Sequence, residues 1–158
     1  MKKRLISLLV ALCMAVTLLP VSAITAWAEE GDQLKIADGY PVGSIDANGT
    51  HTTSCSGDGW SYDGSTQTLD LHPASSTEYD FLSIISGNGN VTKCKLTIGG
   101  NATIVRGNFD NTVINNGKIS GGYFYSSSPL TNHGTIIDGL FVSAVSNESE
   151  GKIENGTF

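Results

Sequence analysis

The side chains that could perform acid–base chemistry are scattered through this 158-residue sequence. Hydrolysis or elimination at a polysaccharide needs clustered carboxylates, or a carboxylate beside a base or a metal. Asp110 and Asp138 fall at different positions of the repeat described below, while Asp70 and His72 share a strand face, which is a weak signal. The remaining candidates are spread along the chain: His51, His133 and Arg106. We therefore expect a non-enzymatic protein with no catalytic residues.

The acidic turns of the sequence do not have the pattern of a metal-binding loop. Asp58 and Asp63 lie close together, but the sequence has no Asp-x-Asp loop and no Gly-Gly-x-Gly-x-Asp repeat of the kind that binds calcium. Surface acidity accounts for these carboxylates. We expect no metal and no cofactor.

Exposed aromatic rings are the residues that could bind a ligand, because an exposed ring can stack on the face of a sugar. Tyr123 fills a repeat position held by Asn, Leu and Thr in the sister repeats, which indicates an outward side chain, and Tyr125 follows two residues later. Trp60 and Tyr62 are further candidates, although we favour the interpretation that they attach the N-terminal part to the first rung. The sequence predicts these four as its carbohydrate-binding residues.

The two tyrosines at 123 and 125 lie within a repeat of 15–17 residues. The unit Ile-x-x-Gly-x-Phe occurs four times, and a shorter unit, Val/Leu-x-Asn, lies between its copies. Distances inside each unit are constant, whereas the connecting distances vary. The repeated positions form four sets: Ile104, Ile119, Ile136 and Ile153; Phe109, Phe124, Phe141 and Phe158; Val113, Leu130 and Val145; and Asn115, Asn132 and Asn147.

The constant stretches predict two short strands per rung, and the variable stretches predict turns. Helix-pair repeats are about twice as long, and frequent Gly with β-branched and aromatic residues disfavours helix. We therefore predict an all-β parallel β-helix in which like residues stack. The Ile, Phe and Val/Leu sets form inward columns, the Gly of each unit bends the chain, and the Asn set forms an amide ladder. The handedness and cross-section do not follow from the sequence.

The repeats are clearest over residues 101–158 and extend upstream to about residue 76. Residues 29–75 contain the turn signals Asn48-Gly49 and Asp63-Gly64 and predict a β-hairpin cap over the first rung. The segment 81–85 is a further strand candidate. Because the repeats run to a ladder phenylalanine, we expect an uncapped last rung that is open to end-to-end contact. The sequence leaves open whether the repeats continue in a longer protein.

The N-terminus predicts export. Three basic residues precede an apolar run that ends in Ala-Trp-Ala at residues 26–28, so residues 1–28 are predicted to be a cleavable signal peptide. Removing those three from the nine basic residues leaves six against 15 acidic ones, a net charge of −9 that opposes nucleic-acid binding. The mature part has no long apolar run, and we expect it to be secreted or held at the cell surface without spanning the membrane.

Two cysteines remain in the mature part, Cys55 and Cys94. Outside the cell they could form one disulfide. Two buried free thiols fit the sequence equally well.

The Gly-x-Ile-x-x-Gly-x-Phe repeats, the Asn-x-Gly links and the segment 59–69 resemble those of large secreted or surface β-helix repeat proteins of Gram-positive gut-type bacteria. The resemblance covers most of the chain. It implies an adhesin-like or carbohydrate-binding role at the cell surface and no particular chemistry.

We therefore expect an exported, non-enzymatic β-helix module for cell-surface adhesion or scaffolding. Its partners would be glycans or proteins of a host or cell surface. The alternative is a carbohydrate-binding module that uses exposed aromatic residues, and a polysaccharide-active lyase or hydrolase is less favoured.

Overall fold

The structure, a computed structural model, describes residues 33–86, 91–125 and 127–158. The predicted signal peptide, residues 1–28, lies outside the described residues. The described residues are nearly all β and form a parallel β-helix of about three turns with a β-hairpin on its N-terminal side. The predicted fold class is confirmed.

Three sheets form the faces of the β-helix, and each is named here by its inward residues. The Val sheet contains β5 (Thr68–Leu71), β8 (Lys95–Ile98), β11 (Val113–Asn115), β14 (Leu130–Asn132) and β17 (Val145–Asn147). The Ile sheet contains β6 (Thr77–Asp80), β9 (Ala102–Arg106), β12 (Lys118–Ile119), β15 (Thr135–Ile136) and β18 (Lys152–Ile153). The Phe sheet contains β10 (Asn108–Phe109), β13 (Tyr123–Phe124) and β16 (Leu140–Phe141).

Each complete rung has three strands, where the sequence predicted two. The Ile-to-Phe unit, expected to be one bent strand, is divided at its glycine into a strand of the Ile sheet and a strand of the Phe sheet. Gly122, Gly139 and Gly156 have φ values of 128°, 151° and 142°, which residues with a side chain rarely adopt. A Cβ atom at Gly139 would also lie 2.8 Å from the ring of Phe141. The bend is therefore sharp enough to end one strand and begin another.

Like residues occupy the same position in successive rungs. The parallel pairing places Val113, Leu130 and Val145 in one column of the Val sheet. The Ile sheet aligns its isoleucines in the same way, and the Phe sheet aligns its phenylalanines. The phenylalanine rings are stacked, with centroids separated by 5.0 Å, 4.7 Å and 5.1 Å from the first ring of the column to the last. These columns fill the interior.

The asparagines of the Val sheet form an amide ladder. Asn115 Nδ2 donates to Asn132 Oδ1 at 2.7 Å, and Asn132 Nδ2 donates to Asn147 Oδ1 at 2.6 Å. Asn147 Nδ2 donates to the Gly151 carbonyl at 2.8 Å. Asn115 and Asn132 are fully buried, so these bonds replace the water that their amides lose.

The N-terminal part extends the Val sheet with antiparallel strands. The strands β3 (Cys55–Gly57) and β4 (Trp60–Asp63) lie beyond β5 in the same sheet, and β4 and β5 form the hairpin predicted around Asp63-Gly64. Asp63 Oδ1 accepts a hydrogen bond from the Ser65 N–H at 2.9 Å within this turn. The cap and the β-helix therefore share one continuous sheet.

The second turn signal, Asn48-Gly49, lies in a loop rather than a hairpin. Gly49 has a φ of 81°, as the turn requires, but the residues on either side do not form strands. Asp46 organises this loop, since its carboxylate accepts hydrogen bonds from the N–H groups of Asn48 and Thr50 and from the hydroxyls of Thr50 and Thr52. Side-chain bonds to this carboxylate take the place of a strand ladder here.

A small sheet and one helical turn complete the N-terminal side. The sheet contains β1 (Ile36–Ala37), β2 (Tyr40–Pro41) and β7 (Ile85–Ser86). The prediction of a strand over 81–85 is wrong for its first four residues, which form α1 (Phe81–Ile84). One helical turn redirects the chain and places the Phe81 ring edge-on against Phe109, with centroids 5.1 Å apart. Phe81 thereby packs on the first ring of the phenylalanine column.

Candidate functional site

Tyr123 and Tyr125 lie side by side on the outer surface of the Phe sheet. They flank Phe124, whose ring is fully buried, and alternate strand residues point to opposite faces. The centroids of the two tyrosine rings are 4.6 Å apart and their planes are inclined by 59°. Tyr125 is 37 % exposed and Tyr123 is half-buried, so both rings reach the surface.

The next rung continues this apolar surface. Leu140 pairs in register with Tyr123, and Val142 follows the buried Phe141 as Tyr125 follows Phe124. Leu140 is 39 % exposed and Val142 is 53 % exposed. We call these four residues the platform: Tyr123, Tyr125, Leu140 and Val142. Successive rungs of such a sheet are about 4.8 Å apart, so the platform is contiguous.

Polar groups border the platform on the Tyr125 side. Ser127 donates a hydrogen bond to Asp110, which occupies the position of Tyr125 one rung earlier. The fully buried Ser128 holds this loop, because its hydroxyl donates to the Phe109 carbonyl at 3.0 Å and accepts from the Asn111 N–H at 3.0 Å. The loop carries two more residues than the matching loops of the neighbouring rungs. Insertions in repeat proteins often mark the binding face.

Trp60 and Tyr62, the other two predicted sugar-binding residues, lie in the core. Trp60 is 4 % exposed and Tyr62 is 2 % exposed, and they pair across the hairpin with Leu71 and Leu69. The Tyr62 hydroxyl donates to the His51 carbonyl at 2.8 Å, and burial raises the pKa of Tyr62 to about 12. Neither ring offers a face to a sugar, which corrects their proposed role and supports the interpretation that they join the cap to the β-helix.

The groups considered for catalysis are separated in the structure. Arg106 forms an ion pair with Asp80, which lowers the pKa of that carboxyl group. Asp138 accepts a hydrogen bond from the Gly139 N–H at 2.8 Å. His72 Nδ1 lies 3.4 Å from the carbonyl oxygen of Asp70, so this histidine contacts the backbone rather than the carboxylate. His133 is exposed in a turn.

Sequence reasoning missed a polar cluster around His51. The Ser44 hydroxyl lies 2.7 Å from His51 Nδ1, and the imidazole stacks on Tyr40 with ring centroids 4.2 Å apart. Ser44 and His51 are seven residues apart in a loop without a recognisable motif, so no signal in the sequence joins them. Ser44 is fully buried, which closes its hydroxyl to a substrate. The cluster therefore holds the loop to the cap.

Cys55 and Cys94 are free thiols, so the disulfide that the sequence allowed is not formed in the structure. Cys94 directly precedes β8, whereas Cys55 lies on β3, and two strands separate β3 from β8 in the sheet. Burial raises the pKa of both thiols, to about 12 for Cys94. Both are consequently poor nucleophiles at neutral pH.

The last rung has little cover on its outer side. Phe158 stacks on Phe141 through one ring face and is largely exposed, and Ile153 is also exposed. End-to-end contact through this rung stays a prediction.

Neither a metal site nor a membrane-crossing helix occurs within residues 33–86, 91–125 and 127–158. These residues do not bring together three His, Cys, Asp or Glu side chains that could hold an ion. None of their helices has the length and apolar character that a membrane crossing requires.

Comparison of this chain with known proteins gives no match to a family model, to a curated protein or to a solved structure.

Proposed function

We propose that this protein is an exported, non-enzymatic binding module for cell-surface adhesion or scaffolding, and that the platform is its contact surface. The observation that carries the proposal is the group of four adjacent aromatic and aliphatic side chains on the Phe sheet, of which Tyr125, Leu140 and Val142 are exposed and Tyr123 is half-buried. Contiguous exposed apolar surface is a usual mark of a binding site. The predicted signal peptide supports a location outside the cell.

The structure beneath the platform suits a binding surface. Phe109, Phe124 and Phe141 are buried and stacked directly behind it. Because these rings fill the interior, the outward side chains between them stand on a rigid support. A rigid surface loses little conformational entropy when it binds.

Carbohydrate binding is the second candidate, and the paired tyrosines favour it. An inclined pair of rings 4.6 Å apart presents aromatic surface to an apolar sugar face. The Asp110 carboxylate and the Ser127 hydroxyl lie at the border, where they could bond to sugar hydroxyl groups. The other two aromatic candidates, Trp60 and Tyr62, are buried and do not contribute.

Replacement of Tyr123 by Ala tests the role of the platform. We expect the purified protein to bind epithelial cells or glycans of an array, and Tyr123→Ala to weaken that binding about tenfold through lost ring contact. Ile114→Ala is a matched control, because Ile114 is 39 % exposed, like Leu140, but lies on the outer side of the Val sheet.

If Tyr123→Ala binds as tightly as the wild type, or if Tyr123→Ala and Ile114→Ala lose equal affinity, the platform is not the contact surface. Turnover of a uronic-acid polymer by the purified protein would contradict the non-enzymatic assignment.

A further inference from the structure

We propose that the platform binds an uncharged, extended glycan whose chain runs along the axis of the β-helix, across the rungs. This inference rests on the proposed binding function and names its ligand. It follows from the shape, chemistry and charge of the outward columns of the Phe sheet.

The outward surface of the Phe sheet is a strip that is longer along the axis than across it. One outward column contains Asn108, Tyr123, Leu140 and Thr157, each paired with the next. Three steps of about 4.8 Å give this column a length of roughly 14 Å. Across the strand, two residues span only about 6.6 Å before the chain turns away. A linear chain of several sugar rings fits this strip along the axis and not across it.

The strip has a loop on one side and a bend of the chain on the other. The loop that contains Ser127 and Ser128 borders the Tyr125 side. On the other side the chain bends at Gly122 and Gly139 into the Ile sheet. A ligand that keeps contact with the strip over its whole length therefore extends toward earlier or later rungs.

The chemistry of the strip matches the two kinds of surface on a sugar. The tyrosine rings and aliphatic side chains in the middle of the strip can pack against the C–H groups of a pyranose face. Asn108 and Thr157 at the two ends, with Asp110 and Ser127 at the border, can exchange hydrogen bonds with hydroxyl groups. Apolar contact in the centre with a few polar groups around it is usual for a small-ligand site.

The charge of the strip favours an uncharged glycan. Among the seven outward residues 108, 110, 123, 125, 140, 142 and 157, the charged one is Asp110. The predicted mature chain has a net charge of −9, so an anionic polymer is repelled both locally and at long range.

The small size of the platform favours a glycan over a protein partner. A stable protein interface uses about 20–30 residues on each side. Four apolar residues with a polar border fall well short of that number, but they suffice for stacking on a few sugar rings. The strip is therefore sized for an oligosaccharide segment.

Calorimetric titration with defined oligosaccharides tests this inference. The probes are linear 1→4-linked glucose, xylose and mannose oligosaccharides of two, four and six units, with a uronic-acid hexasaccharide as the anionic probe. We expect binding of at least one uncharged series, affinity that rises from two to four units and then levels off, and about tenfold weaker binding of the anionic probe.

Single substitutions test the aromatic contact and the effect of charge separately. Tyr125→Ala should weaken binding of the uncharged hexasaccharide about tenfold, while Ile114→Ala should leave it unchanged. Asp110→Asn retains a hydrogen-bond acceptor for Ser127 but removes the negative charge. It should therefore reduce the difference in affinity between the uncharged and the anionic hexasaccharide. Thermal unfolding of each variant shows whether it folds.

Distinct results overturn the inference and the proposed function. Equal or tighter binding of the uronic-acid probe, or affinity independent of chain length, overturns the inference. Binding of cells that depends on Tyr123 without binding of any oligosaccharide also overturns it, but leaves the proposed function standing. If neither cells nor oligosaccharides bind, both fail.

Discussion

Phe124 links the interior of the β-helix to the platform at the scale of single residues. Its ring is fully buried between Phe109 and Phe141, while Tyr123 and Tyr125 on either side of it point outward. Because inward and outward residues alternate along a strand, a fixed inward ring also fixes where the two tyrosines stand. A side chain without access to ligand therefore positions the binding surface.

We expect Phe124→Ala to lower the free energy of unfolding by about 3–5 kcal/mol, because it removes a fully buried ring and leaves a cavity between two others. Denaturant unfolding followed by circular dichroism measures the change. Phe158→Ala is the matched control, since Phe158 belongs to the same column but is largely exposed, and its loss should be only about 1 kcal/mol. If Phe124→Ala and Phe158→Ala lower the free energy of unfolding by similar amounts, the Phe124 ring is not buried in the column.

The aromatic residues show which single-residue properties the sequence can reveal. Tyr123 was predicted to point outward because the sister repeats hold unrelated residues at its position, and repetition supplies that comparison within one chain. Trp60 and Tyr62 lie outside the repeats, so no sister position indicated their direction. Their burial results from pairing between β4 and β5 and from the packing of the cap on the first rung, which is a tertiary effect.

At the scale of elements, each rung gains its third strand from the bend at the glycine between Ile and Phe. The sequence showed a fixed five-residue step from Ile to Phe and a glycine within it, which indicates a bend. It did not show how sharp the bend is. With φ near 128° at Gly122, the chain leaves one sheet and enters another, and the cross-section becomes three-sided.

The folded protein should lose stability at alkaline pH. Cys94 and Tyr62 have pKa values raised to about 12 in the folded protein, chiefly by burial, against ordinary values of 9.0 and 10.0. Well below pH 9 both groups are protonated in the folded and unfolded chains. Between pH 9 and 12 the unfolded chain loses these protons more readily, so the stability falls as the pH rises.

Thermal unfolding between pH 8 and 11 measures this effect. We expect the midpoint temperature of the wild type to fall with pH, and that of Cys94→Ala to fall less steeply, because this variant has no thiol to ionise in the unfolded chain. Parallel declines in both proteins would show that the Cys94 thiol does not contribute.

At the scale of the whole molecule, stability is shared between neighbouring rungs. Each inner rung pairs through backbone hydrogen bonds with the rung before it and the rung after it, and a repeat protein of this kind depends on nearest-neighbour contacts. In the sheets described, β12 and β15 have partners on both sides, whereas β18 is paired on one side.

Hydrogen exchange should follow this arrangement. We expect backbone amides in β12 and β15 to exchange more slowly than those in β18, because an outer rung can open without its neighbours. Exchange measured by mass spectrometry on peptic fragments of the folded protein checks the order. Uniform protection across the three strands would indicate that the β-helix opens only as a single unit.

The candidate site also arises at this larger scale. The sequence identified Tyr123 and Tyr125 singly, but the contributions of Leu140 and Val142 required the register between rungs. The polar border required the loop of Ser127 to reach Asp110, a residue 17 positions earlier. Repetition in the sequence could predict which residues stack, but it could not predict how loops of unequal length lie against one face.

The amide ladder gives the β-helix a way to change its length. Asn115 and Asn132 each donate to the next asparagine and also lie near a backbone carbonyl, those of Thr135 and Lys152 at 3.4 Å and 3.3 Å. Asn147 differs from both, because it donates to the Gly151 carbonyl of its own rung. If a rung is added after the last asparagine of the ladder, that asparagine can donate to the side chain of the new asparagine instead of to a carbonyl of its own rung. Rungs can be gained or lost during evolution without leaving a buried amide unsatisfied.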